Sequence, residues 1–483
     1  MVVLSLQRHR VALVSDFFYP SIGGVEHHIY ALAQCLVEQG HAVIVITNQH
    51  SGDAGVQLLA GGLKVYYLPF SPTLEGCMMP TGIRTAPCLR AVLKHERITV
   101  VHTHAVCTMS FETIMLASLM GYNVVHTEHS NYGVGRMRNL PLNKLQQLVL
   151  THTDAIITVS ASSKENVVAR CKIEPDEITV IPNAFDASRF QPARSNIRPK
   201  GGINIVILQR LVWRKGAHLL VEIVPEICRR FPYVHFIIGG DGPRRRTLEE
   251  MRAHYGLHDR VELLGAVDHR DAPSVLTRGH IFLSTSLTEA FGISILEAIS
   301  CGLTVISTRA GGVAEELPPH MVHLAEANTH SLIHLVGTVV SSIRASPRAT
   351  NESLHSEIAL MFRWSDVAAR TSQIYDRLSS RARPPALRRV AKLVLLDPFT
   401  GCVALTVALI QSACLALLCM YSRVTAQHTS ALDPKCLPDD MGCEMTCPAE
   451  LLPDGKTMCA SESSCTPHAR RCGDDSIAAP AAR

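Results

Sequence analysis

The sequence predicts an α/β protein, two Rossmann-like halves facing a cleft, followed by one C-terminal transmembrane helix. Three observations predict this. From Val11 to about Met361, short β-branched runs alternate with amphipathic stretches, the pattern of βαβ units and parallel sheets. A Pro/Arg/Ser/Gly-rich stretch, residues 191–202, divides that rhythm into two series. From Pro398 to Ser422 there is no charged residue.

Composition narrows the class. The 483 residues carry 46 Lys+Arg against 42 Asp+Glu, a net charge of +4, too balanced for a chain that binds nucleic acid through a basic surface. At 47% hydrophobic and 18% charged, global disorder is excluded.

In the first series the expected strands are 11–16, 42–47, 64–70, 98–104, 122–129, 155–160 and 178–183. A helix is expected over Gly24–Gln39, because Val25, Ile29, Leu32, Leu36 and Val37 fall along one stripe and Gly40 ends it. In the second series the expected strands are 203–211, 234–240, 261–267, 281–286, 303–309 and 321–326. Paired Rossmann-like halves bind ligands outside the carboxyl ends of their strands. The loops after the strands are therefore where chemistry is expected.

The N-terminus lacks the marks of a signal peptide, since Arg8, His9 and Arg10 break its apolar run. The bulk of the chain is expected in the cytosol. As a helix, Phe399–Tyr421 would span roughly 34 Å, enough for a hydrocarbon core of about 30 Å. A buried core helix is the alternative. Arg381, Arg383, Arg388, Arg389 and Lys392 precede the stretch and only Arg423 closely follows it. The positive-inside rule then puts the tail in a lumen or outside. Beyond the span lie Cys436, Cys443, Cys447, Cys459, Cys465 and Cys472. This even number suits a disulfide framework better than a zinc site, which usually shows a close C-x-x-C pair.

Four loops carry the candidate chemistry. Gly23-Gly24 opens a helix after the first strand, where backbone can approach an anion, although Gly-Gly is also an ordinary turn. Arg210 and Lys215 follow the first strand of the second half and suit a diphosphate, or equally a solvated basic turn. Gly239-Gly240-Asp241-Gly242 lacks the G-x-G-x-x-G spacing, which disfavours NAD. Glu289 and Glu297 are expected to open a helix, about 12 Å apart along it and on one side. That separation fits two contacts along an extended ligand such as a nucleotide-sugar. His102, His104, His126 and His129 cluster at strand ends. Without an accompanying carboxylate or Cys set, a hydrogen-bonding role, strongest for His129, is preferred to a metal site.

GGVE, RLVWRKG, GGDGP and EAFGISILE, in this order, resemble the retaining GT-B glycosyltransferases of the family that includes glycogen synthase and sucrose synthase (glycosyltransferase family 4). SDFFYPSIGGVEHHIY, SSKENVV, VIPNAFD, FIIGGDGP, LHDRVELLGAVDH and CGLTVISTRAGG are similar to a narrower family, the catalytic subunits of phosphatidylinositol N-acetylglucosaminyltransferase. The resemblance covers about residues 11–380. Residues 72–84 and 131–140 depart from it, as does the Cys-rich tail.

The resemblance implies transfer of N-acetylglucosamine from UDP-GlcNAc to phosphatidylinositol. This is the first step of GPI-anchor synthesis, on the cytosolic face of the endoplasmic reticulum, in a multisubunit complex and without a metal. It implies that Arg210 and Lys215 neutralise the diphosphate and Glu297 holds the ribose. Glu289 and His129 would face the donor sugar. The amides near Phe291 and Gly292 would contact sugar or phosphate. Gly23 and Gly24 would let the first half close over the ligand, and Gly240 joins the donor-binding set. Retention would follow from front-face attack, with no protein nucleophile. Arg136, Arg138 and Lys144 are candidates for a bilayer-facing acceptor segment, with a plain helix-loop as the alternative.

The implied organisation is an acceptor domain (1–190), the linker (191–202), a UDP-sugar domain (203–362) and a helix crossing back (363–380). A basic juxtamembrane segment (381–398), the span (399–421) and a lumenal tail (422–483) follow. Rival readings are a GT-B transferase with another donor and acceptor, a nucleotide-sugar epimerase and a noncatalytic scaffold protein. Intact Arg210, Lys215, Glu289 and Glu297 argue against the scaffold.

Overall fold

A computed structural model describes residues 8–21, 23–49, 55–68, 73–74, 77–78, 85–132, 140–192, 202–345 and 352–381, with scattered positions between 401 and 420. The first half holds β1 (Arg10–Val14), β2 (Ala42–Asn48), β3 (Gly55–Leu59), β4 (Leu63–Leu68), β5 (Thr73–Leu74), β6 (Cys77–Met78), β7 (Val100–His104), β8 (Asn123–Glu128), β9 (Ala155–Thr158) and β10 (Ile178–Val180). Eight of them form one sheet in the order β10-β9-β8-β7-β1-β2-β4-β3, and β5 pairs with β6 separately. The second half holds β11 (Ile203–Leu208), β12 (Val234–Gly239), β13 (Val261–Gly265), β14 (Ile281–Ser284), β15 (Thr304–Thr308) and β16 (Val322–Ala325). Their order is β13-β12-β11-β14-β15-β16, the doubly wound arrangement.

Each expected strand is present, most of them trimmed at the carboxyl end where the chain leaves the sheet for a loop; β2 instead runs one residue further, to Asn48, and β7 ends at His104 as expected but starts two residues later. The runs can be read because central parallel strands are covered on both faces and become continuously apolar. Val11 to Val14 and Ile205 to Ile207 are fully buried. The hairpin edge strand β3 is an addition to the expected set. It pairs antiparallel with β4, and its burial pattern is half-exposed to exposed, so it lacks the apolar signature.

The first long helix runs Gly24–Glu38 and buries Ile29, Leu32 and Leu36. Val25 and Val37 are only partly buried, because Glu26 and His28 share the buried face instead. Helix Trp364–Ser379 lies against the first half. There Tyr375 Oη is 2.7 Å from His102 Nδ1 and Asp376 Oδ1 is 2.8 Å from His9 Nε2.

In each sheet the strand order reverses between the two central strands, β1/β7 and β11/β14. A crevice opens at the carboxyl ends there. The halves meet around the loop after β14. Asn131 Nδ2 donates to Glu289 O at 3.2 Å, and Ser160 Oγ donates to Ala290 O at 2.7 Å. Gly24 faces the same region: a Cβ on it would stand 4.0 Å from Ile293 Cδ1.

Among the described residues no helix is long and apolar enough to cross a membrane. The expected span is only partly described, and residues 382–400 and 422–483 lie outside the described residues. So do the Cys-rich tail, Arg136 and Arg138.

Candidate active site

The crevice between β11 and β14 gathers most of the expected donor residues. Arg210 is exposed just beyond β11, while Lys215 sits at the end of a short 3-10 turn. Gly216 follows with φ +69, and a Cβ there would lie 1.8 Å from Thr285 O. Only glycine lets the Lys215 turn press against the strand-end residue Thr285. Lys215 Nζ is thereby placed 2.5 Å from Glu289 Oε2, and Ser286 Oγ donates to the same oxygen at 3.1 Å.

Glu289 and Glu297 are not on one helix. The helix begins at Ile293, and Gly292, left-handed at φ 92, turns the chain before it. The 12 Å helical separation expected from eight residues therefore does not apply. Glu289 belongs to the turn after β14, and only Glu297 is helical. Glu297 is buried at 6% exposure and accepts from His269 Nε2 at 2.8 Å. Nothing in sequence spacing points to His269, which arrives from the loop after β13.

Phe291 is buried and packs edge-on against Phe362 at 5.7 Å, so its side chain belongs to the core. Gly292 caps the helix N-terminus, where free amides favour an anion. Gly240 N–H donates to Gly265 O at 2.6 Å, and a Cβ on Gly240 would lie 1.9 Å from Gln209 O. It serves the close packing of two loops. Gly23 O accepts the first helical bond from His27 N–H at 3.1 Å.

In the first half, His129 lies half-buried beyond β8 and His104 ends β7. His102 and His126 are fully buried inside their strands. Thus of the four histidines expected at strand ends only His129 is partly exposed; His104 is fully buried behind it, 3.2 Å away, and His102 and His126 hold the sheet. His28 joins His104 and His129, its ring 4.6 Å from His129 and its Nδ1 2.9 Å from Asn183 Oδ1. Spacing alone does not single out His28 or Asn183, although both lie in blocks that carry the resemblance.

Burial sets the protonation of this cluster. It pushes His28 down to about 3, with the Asn183 bond opposing, and His126 to about 3. His102, His104 and His129 are likewise held well below the ordinary imidazole range by burial and by one another. Three ring nitrogens of His28, His104 and His129 lie within 4.8 Å of one another, the one potential metal-ligand group among the described residues.

The loop carrying His129 is anchored from below. Glu128, fully buried, accepts from Gln146 Nε2 at 2.5 Å and Ser130 N–H at 3.0 Å, with Arg170 Nη2 at 3.8 Å. Lys144 is half-buried on helix Leu140–Leu150, next to exposed Leu145.

Comparisons with known proteins agree with this architecture. The family model described as Glycosyltransferase Family 4 matches residues 22–189, and Glycosyl transferases group 1 matches residues 189–341. A phosphatidylinositol N-acetylglucosaminyltransferase subunit of Arabidopsis thaliana is 46% identical over 394 residues, covering 81% of this chain and 87% of the relative. Its Homo sapiens counterpart is 43% identical, covering 81% of each. The gpi3 subunit of the same transferase in Schizosaccharomyces pombe is 40% identical, over 81% of this chain and 84% of its own. Among solved structures, sucrose-phosphate synthase from Thermosynechococcus elongatus superposes with TM-score 0.65 at 20% identity, covering 78% of this chain and all of that one. Anabaena HepE in complex with UDP and glucose gives 0.60 at 17%, covering 77% and 100%. The chain therefore belongs to the phosphatidylinositol N-acetylglucosaminyltransferase family of these three relatives, glycosyltransferases with the GT-B fold.

Proposed function

We propose that this chain is the catalytic subunit that transfers N-acetylglucosamine from UDP-GlcNAc to phosphatidylinositol, the step that opens GPI-anchor synthesis. The observation that carries the reading is the match to the named relatives over four-fifths of this chain. Its support at the site is the Lys215–Glu289–Ser286 contact at the mouth of the second sheet.

The chemistry follows from the residues. Arg210 and Lys215 neutralise the donor diphosphate and stabilise charge growing on the leaving UDP. Lys215 is held by its bond to Glu289, and Arg210 lies exposed beyond β11, so two cations are supplied by the chain itself. The Glu289 main chain is bonded to Asn131, so the donor-sugar side of the site is braced by both halves. Glu297, already an acceptor for His269, takes the ribose hydroxyls as donors instead. The bond from the sugar anomeric carbon to the phosphate oxygen breaks, and one to an inositol oxygen forms on the same face. The inositol proton passes to the departing phosphate oxygen.

The chain works within a complex, as the word subunit in its relatives' names suggests. It is held in the endoplasmic reticulum membrane by the single span 399–421, with the catalytic halves in the cytosol. The described positions between 401 and 420 are helical, and Leu405, Leu409, Ile410, Leu417 and Met420 among them are exposed. Such a surface suits lipid. The acceptor lipid enters along helix Leu140–Leu150, where Lys144 and exposed Leu145 lie. Arg136 and Arg138, the other two candidates for acceptor binding, lie outside the described residues.

The test uses microsomes from cells lacking the endogenous protein, complemented with the full chain, given labelled UDP-GlcNAc and phosphatidylinositol. Labelled GlcNAc-phosphatidylinositol is expected with wild type and at a strongly reduced rate with Lys215→Ala. No labelled lipid from the assembled wild-type complex would sink the reading.

A further inference from the structure

His104 Nδ1 and His129 Nε2 lie 3.2 Å apart. One proton joins them, and it has two possible owners. His104 Nε2, on the far side of its ring, is buried and has no hydrogen-bond partner among the described residues. If His129 were the donor, the neutral His104 ring would carry its proton on that orphaned Nε2. A buried N–H without an acceptor is a costly defect, whereas a bare lone pair is tolerated more easily. The proton therefore belongs to His104 Nδ1.

The same accounting weighs against a metal held by His28, His129 and the Nδ1 of His104. Coordination through His104 Nδ1 would also place a proton on Nε2, with nothing to receive it. Metal-bound imidazoles usually donate their second N–H to a partner. His28 has such a partner in Asn183, but His104 Nε2 has none among the described residues.

The His104 ring is itself held in place. It lies against His102 with centroids 4.3 Å apart, and His102 is fixed from both sides by Tyr375 Oη and Thr127 Oγ1, each at 2.7 Å. Ser110 Oγ donates to His104 O at 2.9 Å. The next residue, Ala105, is left-handed at φ +63, a strained conformation for a residue with a side chain. The chain accepts this strain where it turns out of β7 immediately after His104.

We propose that His104 is a positioning residue. Its Nδ1–H donates to His129 Nε2, which fixes the His129 proton on Nδ1 and makes that atom a hydrogen-bond donor to an oxygen of the bound donor sugar. The inference rests on the proposed function, in which His129 stands beside that sugar. His28 from the first helix and His102, His126 and Glu128 from the sheet surround the pair, and burial keeps the histidines neutral.

The test contrasts two near-isosteric variants in the intact complex. His104→Asn places an amide N–H where Nδ1–H lies, and His104→Asp places an acceptor there. Asn is expected to keep kcat/KM within about threefold of wild type. Asp forces the proton of His129 onto Nε2 and favours the imidazolium. It is expected to lose at least about tenfold and to gain a pH dependence between about pH 6 and 8 that wild type lacks. Equal loss in both variants, at equal complex abundance, would overturn the proposal, as would no loss in Asp. One metal equivalent per chain in the purified complex, absent from His104→Asn, would overturn it too. Wild-type turnover in the same membranes separates the questions. Its absence counts against the proposed function, and its presence with equal losses counts against the tautomer.

Discussion

Lys215 Nζ and Glu289 Oε2 meet at 2.5 Å, joining the loop after β11 to the loop after β14 across the point where the strand order reverses. The ion pair fixes a cation at the carboxyl ends of the two central strands, where a diphosphate would bind. Lys215→Ala removes a charge that counts most when the leaving group is most negative. It is expected to lower kcat/KM by about 10²–10³-fold, measured as initial rates of GlcNAc-lipid formation. Lys215→Arg should not restore the rate, because a planar fork cannot replace a point charge in the space beside Gly216.

Glu297 offers a second test, because His269 holds the oxygen that the donor ribose would use. Glu297→Ala is expected to raise the donor KM by at least about tenfold, the worth of a hydrogen bond to a charged group. His269→Ala removes the competitor and should leave that KM at or below the wild-type value. A rise in the His269 variant would show that the imidazole binds the donor rather than giving way to it.

These residues also show how far the sequence can be read. The parallel strands are legible because burial on both faces leaves continuous apolar runs, as in Val11–Val14. Arg210, Lys215, Glu289 and His129 are legible because each follows a strand. The half-exposed edge strand β3 leaves no such trace. The turn before Ile293 reads as helix because the apolar residues around Gly292 keep helical spacing until its left-handed backbone interrupts them. His28, Asn183 and His269 come from loops and faces far apart in sequence. Only the closed topology brings them to the crevice.

Gly216 makes a stability prediction independent of ligand. A Cβ there meets Thr285 O at 1.8 Å, and its φ of +69 suits no other residue well. Backbone on both sides leaves nothing flexible to yield. Gly216→Ala is expected to cost about 3 kcal/mol or more and to lower the melting temperature of the purified chain by roughly 3–4 °C. Gly256→Ala is a fitting control, because its φ of +64 is similar but no atom lies within 4 Å of the added Cβ. A comparable loss there would assign the effect to φ rather than to the approach of Thr285.

The buried histidines make stability depend on pH in a predictable direction. Burial, helped by His269, pushes His27 down to about 4, and burial takes His28 and His126 to about 3. In the unfolded chain each returns to about 6.5. Between those values the unfolded state binds the proton and the folded state does not, so acid favours unfolding. Stability is fully present above about pH 6.5 and falls as pH drops through about 6.5 towards 4. Each such histidine contributes a slope of about 1.4 kcal/mol per pH unit well inside that window. Thermal melts of the full chain in detergent at about pH 7.5, 6.5 and 5.5 should therefore show a progressively lower midpoint. His126→Asn should flatten the slope by about one proton, because the amide cannot titrate. A midpoint that rises on acidification would mean that the folded cluster holds protons, contrary to its burial.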